Sequence, residues 1–178
     1  QRLESARDRA ITSLSTPRHL ALLNELVSAA AMPRVTELGN SASKDVLPEL
    51  VDRSFRRLAR RVKQLELEGP AEVWHEARIS AKRARYSAEA VSGVFGGPAK
   101  RLADALSEVT EILGDHQDAC IAQDVLREMA ATDGIDGRTG FALGLLHEHE
   151  FETELHNRLE FKRIWPHVRR VHKSTKLA

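Results

Sequence analysis

The stretch of this chain richest in chemistry is Trp74-His75-Glu76-Ala77-Arg78-Ile79-Ser80-Ala81-Lys82-Arg83-Ala84-Arg85-Tyr86. Wound as a helix at about 100° per residue, it brings His75, Arg78, Lys82 and Arg85 onto one arc with Tyr86 beside them. At a rise of about 1.5 Å per residue, the four cover roughly 15 Å of one helix face. Like charges one turn apart repel by a few tenths of a kcal/mol, and only Glu89 shares the arc, since Glu76 stands apart from it. A polyanion relieves such a row: arginine offers a planar fork to phosphate oxygens, lysine a compact charge, and His75 adds to both when protonated. The segment before it carries a second set. Arg53, Arg56, Arg57, Arg60 and Lys63 fall on one arc with Arg61 at its edge, so two antiparallel helices would form the walls of a basic groove.

Other chemistry is sparse. His147, His149 and His156 stand among Glu148 and Glu150, but the i,i+2 spacing splits the first two histidines across a helix, and Thr153 occupies the position where an HExxH motif needs its second histidine. This stretch reads as a solvated acidic helix. Asp115 and Asp118 flank His116 just after Gly114 and read as helix-capping and first-turn residues. Cys120 has apolar neighbours and reads as a core residue. With no Ser-His-Asp order, glycine-rich phosphate loop or zinc ligand set, the chain carries no evident catalytic apparatus, and neither metal nor cofactor is expected.

The elements that must position the basic row are helical. Aromatic residues make up only 4% of the 178 residues, alternating β-branched runs are missing, and Ala, Leu, Arg and Glu recur at helical spacing, so the fold class is all-α. A helix over 3–14 ends at Ser15-Thr16-Pro17, which starts the next, with Leu20, Leu23, Leu26 and Val27 on one side. Residues 32–44 read as a loop. A helix from Asp45 to before Gly69-Pro70 sets Leu47, Val51, Phe55, Leu58, Val62 and Leu65 on its core arc. The next, over 71–91, turns Val73, Ala77, Ala81, Ala84, Ala88 and Val91 inward. Three more are expected. One over 99–113 buries Leu102, Leu106, Val109 and Leu113 and stops at Gly114; one covers 117–131; one over 139–161 buries Phe141, Leu145, Leu155 and Leu159. The short connections favour antiparallel bundles.

A formal net charge of +1 hides a segregation: net +2 over 1–44, +4 over 45–101, −11 over 102–160 and +6 over 161–178. Sign asymmetry of this kind points to a polyanion-binding face better than the total does. The competing explanation is a solvated basic row paired with the acidic helices that follow. No apolar run is long enough to span a membrane, and the charged start, QRLESARDRA, has no apolar stretch of a secretory signal. The chain begins without methionine, as a processed product or an excised piece would. One cysteine excludes an internal disulfide and suits a reducing, cytoplasmic setting. The last residues, with six cations between Lys162 and Lys176 together with Trp165, His167 and His172, read as a basic tail over 166–178.

Two strings carry a family resemblance. His75-x-x-Arg78-x-x-x-Lys82-Arg83-x-Arg85-Tyr86-x-x-Glu89 resembles the hallmark of the CHAD family, the conserved histidine α-helical domain. Leu113-Gly114-Asp115-His116-Gln117-Asp118, following at a similar spacing, resembles that family's LG-x-x-(Asn/Gln)-Asp turn between its next two helices. The resemblance covers roughly residues 1–165. It implies two four-helix bundles related by a pseudo-two-fold around a basic groove that binds inorganic polyphosphate, often with a fused CYTH-type triphosphate-processing domain and association with polyphosphate granules. His75, Arg78, Lys82 and Arg85 take the family's positions; Arg53, Arg57, Arg60 and Lys63 rest on the charge-face argument. The family's second basic helix, of the form His-x-x-Arg-x-x-x-Arg-Arg-x-Arg, has no match before residue 50. The chain therefore resembles the C-terminal portion of such a domain, with the other half missing or supplied by a second copy in a homodimer.

The expectation is a non-catalytic, polyphosphate-binding helical module serving granule targeting or regulation. The rivals are a nucleic-acid-binding helical domain, disfavoured by the shortage of aromatic residues for base stacking, and an accessory domain of a triphosphate- or polyphosphate-processing enzyme.

Overall fold

The computed structural model describes residues 2–175 and 177, and every regular element among them is helical. In order these are α1 (Arg2–Leu14), α2 (Pro17–Ala31), a 3-10 turn (Glu37–Asn40), α3 (Ser43–Val62), α4 (Ala71–Ala90), the single turn α5 (Ser92–Phe95), α6 (Gly97–Ala130) and α7 (Gly137–Ser174). The chain divides into two compact units, the first ending at Ala42 and the second beginning at Ser43.

The first unit is a pair of short helices. Thr16 caps α2 by accepting the His19 backbone N–H on its hydroxyl at 3.3 Å, and Pro17 fills the first helical position, where its missing N–H costs nothing. The apolar side of α2 forms as expected, but Leu20, Leu23, Leu26 and Val27 remain exposed, because two helices alone cannot enclose it.

In the second unit α4 lies between α3 and α6, and α7 runs back along α6. Much of the core forms where the sequence periodicity places it: Val51, Phe55 and Leu58 of α3 and Leu65 just beyond it meet Ala77, Ala81, Ala84 and Ala88 of α4 and Val91 at its end, whereas Trp74 is fully buried in place of the expected Val73, which is only partly covered. The alanine stripe of α4 holds no bulk, so its neighbours approach closely. From α6 come Leu102, Leu106, Val109 and Leu113, and from α7 Phe161, Ile164 and Val168. Gly96, at φ 59°, occupies a left-handed conformation that ordinary side chains resist and reverses the chain between α5 and α6.

Three sequence expectations change. The helices expected over 99–113 and 117–131 are one helix, roughly 50 Å long at 1.5 Å per residue. Glycine inside a helix costs about 1 kcal/mol relative to alanine, and the inward phase continues beyond Gly114 through His116, Ala119 and Gln123, so burial carries the helix across it. Asp115 and Asp118 therefore lie in mid-helix and cap nothing.

The second change concerns α7. Phe141, Leu145, Leu155 and Leu159 are exposed, Phe141 by 69%. The helix buries the opposite side, through Leu143, Asn157, Arg158, Phe161, Ile164 and Val168.

The third is the basic stretch read as a tail over 166–178. Through Ser174 it is the last part of α7, and it is docked on α3. His172 stacks on Phe55 with ring centroids 3.7 Å apart and reaches Asp52 at 3.0 Å, while Trp165 stacks on both Phe55 and Phe161. Lys176 lies outside the described residues.

Candidate functional site

The alanine stripe that buries α4 also aims its cations. With Ala77, Ala81, Ala84 and Ala88 turned into the core, His75, Arg78, Lys82 and Arg85 emerge along one flank of the helix, each half-buried beside α6. Two contacts set the antiparallel register between these helices. Nδ1 of His75 is 2.6 Å from Oε1 of Gln117, and Nη1 of Arg85 donates to the Ser107 hydroxyl at 3.4 Å. The same register brings Gly114 opposite Arg78, and a Cβ added to Gly114 would meet nothing within 4 Å. Over that turn α6 offers no side chain, and the buried Nε of Arg78 has no hydrogen-bond partner.

Arg85 is held more fully. Its Nε lies 3.4 Å from a Glu89 oxygen, out of line for a hydrogen bond, and its guanidinium sits over the Tyr86 ring at 4.9 Å. Lys82 has no polar partner among the described residues. Although α6 is rich in carboxylates, no ion pair among the described residues joins this row to α6 or α7; Glu89, on α4 itself, supplies the only carboxylate. The Ser107 hydroxyl that accepts from Arg85 donates in turn to Glu111 on α6 at 3.2 Å.

The cations of α3, and Lys63 just past its end, lie elsewhere. Arg53 stands 3.8 Å from Glu49, and Arg57, Arg60 and Lys63 are exposed with no partner among the described residues. Arg61 pairs with Glu76 at 3.6 Å. Glu76 leaves α4 about 140° round the axis from the middle of the His75–Arg85 row at 100° per residue, so α3 and the row lie on different sides of α4. The eight basic residues expected at the site thus form two faces. The walls of one groove, where the row is concerned, are α4 and α6.

Behind this face lies a buried polar cluster that the sequence gives little reason to expect. Arg158, at 6% exposure, donates through Nε to Nε2 of His116 at 3.0 Å and through Nη1 to the backbone oxygens of Leu67 and Gly69, the latter at 2.9 Å. It pairs with Glu154 and lies over the Trp74 ring at 5.2 Å, while Trp74 donates its indole N–H to the Glu66 oxygen at 3.1 Å. The second Glu154 oxygen accepts from Gln123 at 2.7 Å. Burial, reinforced by the Arg158 charge, lowers the His116 pKa to about 4, and burial with Glu154 nearby raises the Cys120 thiol to about 12. His116, Cys120 and Glu154 are close enough together to ligate a cation, but Arg158 faces Nε2 of His116 and one oxygen of Glu154, and Gln123 donates to the other. The cluster ties α6, α7 and the 67–69 loop to the base of α4, next to His75.

The model of the CHAD domain matches residues 1–127. The chain belongs to the CHAD family. That span ends near the close of α6 and includes both strings that carry the sequence resemblance; the contact between His75 and Gln117 joins one string to the other. Among curated proteins, the chain is 26% identical over 158 residues to Uncharacterized protein MT2285 of Mycobacterium tuberculosis (strain CDC 1551 / Oshkosh) and, equally, to Uncharacterized protein Rv2226 of Mycobacterium tuberculosis (strain ATCC 25618 / H37Rv). Each match covers 84% of this chain and 29% of the relative, so the chain spans less than a third of the proteins it resembles. No solved structure matches.

Proposed function

We propose that this CHAD chain is a non-catalytic module that binds inorganic polyphosphate along the α4 row His75, Arg78, Lys82 and Arg85. The supporting observation is the state of the row. Four cation-forming side chains are half-buried along one flank, and the carboxylates of α6 and α7 leave them unneutralised. That weakens the explanation of the row as one half of an internal charge match. A partly desolvated guanidinium lacking an acceptor costs about 1–3 kcal/mol, which phosphate oxygens recover on binding. A flexible single-stranded polyanion follows a flank of about 15 Å more readily than a stiff duplex. Arg53, Arg57, Arg60 and Lys63 add longer-range attraction from the α3 side.

Polyphosphate granule targeting, a cytoplasmic setting, a fused CYTH-type domain and a homodimer that supplies a second basic helix belong to the same proposal for the whole protein.

The test is retention on immobilised polyphosphate. Arg78→Glu/Lys82→Glu is expected to abolish it while circular dichroism and thermal unfolding stay as in the unsubstituted chain; unchanged retention rejects the site. Competition by duplex DNA as effective as polyphosphate, phosphate for phosphate, would favour a nucleic-acid module instead.

A further inference from the structure

Gln117 is the one α6 side chain that meets the imidazole of the row, and the acceptor it presents decides where that ring carries its proton. Oε1 of Gln117 faces Nδ1 of His75 at 2.6 Å, and since an amide oxygen only accepts, this contact is a hydrogen bond in the tautomer that carries its hydrogen on Nδ1. The other nitrogen, Nε2, is then a lone pair when the ring is neutral and a donor only when the ring is protonated. A phosphate oxygen is an acceptor, and beside a neutral His75 it meets a lone pair. The other charged groups around the ring are Glu72 and Arg78, one turn away on α4, and Asp115 and Asp118 beside Gln117 on α6; none of them is bonded to it. On the α3 side, Arg61 goes to Glu76.

We infer that Gln117 is a positioning residue for anion binding: by holding the Nδ1–H tautomer of His75, it makes uptake of a phosphate chain at this face require uptake of one proton on Nε2. This deepens the polyphosphate reading and rests on it. Without Gln117 the neutral ring is free to carry its hydrogen on Nε2 and to donate to phosphate with no proton taken up.

The experiment measures the dissociation constant for polyphosphate of one defined length from pH 5.5 to 8 at constant ionic strength, for the unsubstituted chain, Gln117→Leu and His75→Gln. For the unsubstituted chain, binding is expected to weaken by up to about tenfold per pH unit where the ring loses its proton. In Gln117→Leu the profile flattens, with affinity at pH 8 raised toward its low-pH value. His75→Gln binds with a flat profile and so also accounts for titration of the polyphosphate ends. Imidazole nitrogen chemical shifts at pH 8 are expected to place the proton on Nδ1 in the unsubstituted chain and to lose that signature in Gln117→Leu. Binding that is flat with pH in the unsubstituted chain, or as steep in Gln117→Leu or in His75→Gln as in the unsubstituted chain, overturns the role of Gln117 and leaves polyphosphate binding standing. Absence of binding at every pH overturns both.

Discussion

Nε of Arg158 donates a hydrogen bond to Nε2 of His116 at 3.0 Å, linking the later part of α7 to the middle of α6 inside the core. This contact fixes the protonation of both partners. The guanidinium is permanently charged, so the ring nitrogen facing it must be a lone pair and His116 must be neutral. The next residue of α6, Gln117, faces His75, so consecutive residues of one helix meet the buried cluster and the basic row.

The contact makes the fold sensitive to acid. Burial holds His116 near a pKa of about 4, against 6.5 in an unfolded chain. Between these values the unfolded state binds a proton that the folded state refuses, so stability falls as pH drops from about 6.5 toward 4. The gap corresponds to at most about 3 kcal/mol. His172, also lowered by burial against Phe55, adds a loss of the same sign. Urea unfolding at a series of pH values is expected to show this decline, and His116→Gln is expected to remove the larger part of it.

Removing the guanidinium leaves its partners stranded. Arg158→Ala leaves the half-buried Glu154 charge with Gln123 alone and takes the donor from the Leu67 and Gly69 oxygens, with an expected loss of about 3 kcal/mol in denaturant unfolding. Arg158→Lys is expected to restore little, because an ammonium cannot span His116, Glu154 and two backbone oxygens at once. Arg158→Met/Glu154→Gln, which removes both charges together, is expected to be more stable than Arg158→Ala.

A glycine inside a continuous helix responds to substitution differently from one in a turn. A Cβ on Gly114 meets nothing within 4 Å and its φ lies outside the left-handed region, so Gly114→Ala is expected to stabilise the chain by about 0.5–1 kcal/mol, read as a rise in Tm. A loss of stability would indicate a helix break at this point.

The two basic faces are separable by charge reversal. Arg57→Glu/Arg60→Glu on α3 is expected to weaken polyphosphate binding modestly at low salt. The effect should disappear near 0.15 M, where the screening length is about 8 Å. Arg78→Glu/Lys82→Glu on α4 is expected to eliminate binding at both salt concentrations, as measured by fluorescence anisotropy with labelled polyphosphate. Equal effects from the two pairs would restore a single groove between α3 and α4.

The parts of the fold legible in the sequence are those whose apolar residues repeat on one side only. Val51, Phe55 and Leu58 on α3 and the alanines of α4 leave no choice of inward face, and choosing that face also sets where His75, Arg78, Lys82 and Arg85 emerge. On α7 the pattern is ambiguous. Phe141, Leu145, Leu155 and Leu159 form one apolar arc and Leu143, Phe161, Ile164 and Val168 another, and only packing against α6 selects the second. Gly114 was ambiguous in another way, since glycine permits a turn without requiring one. Arg158 is hard to single out because His116 and Gly69 lie 42 and 89 residues away in sequence; the local signs are Glu154 one turn earlier and a helical phase that places Arg158 one turn before buried Phe161. Gln117 lies in the string that resembles the family's LG-x-x-(Asn/Gln)-Asp turn, but its contact with His75 follows only from α6 running on past Gly114.

The most direct measurement is a crystal structure of the chain soaked with a short polyphosphate. The account predicts a run of anion density along α4 between Nε2 of His75 and the guanidinium of Arg85, passing Arg78 and Lys82 over the open turn at Gly114. Density confined to the α3 face of Arg53, Arg57 and Arg60, or none along α4 at polyphosphate concentrations that saturate binding in solution, would contradict it.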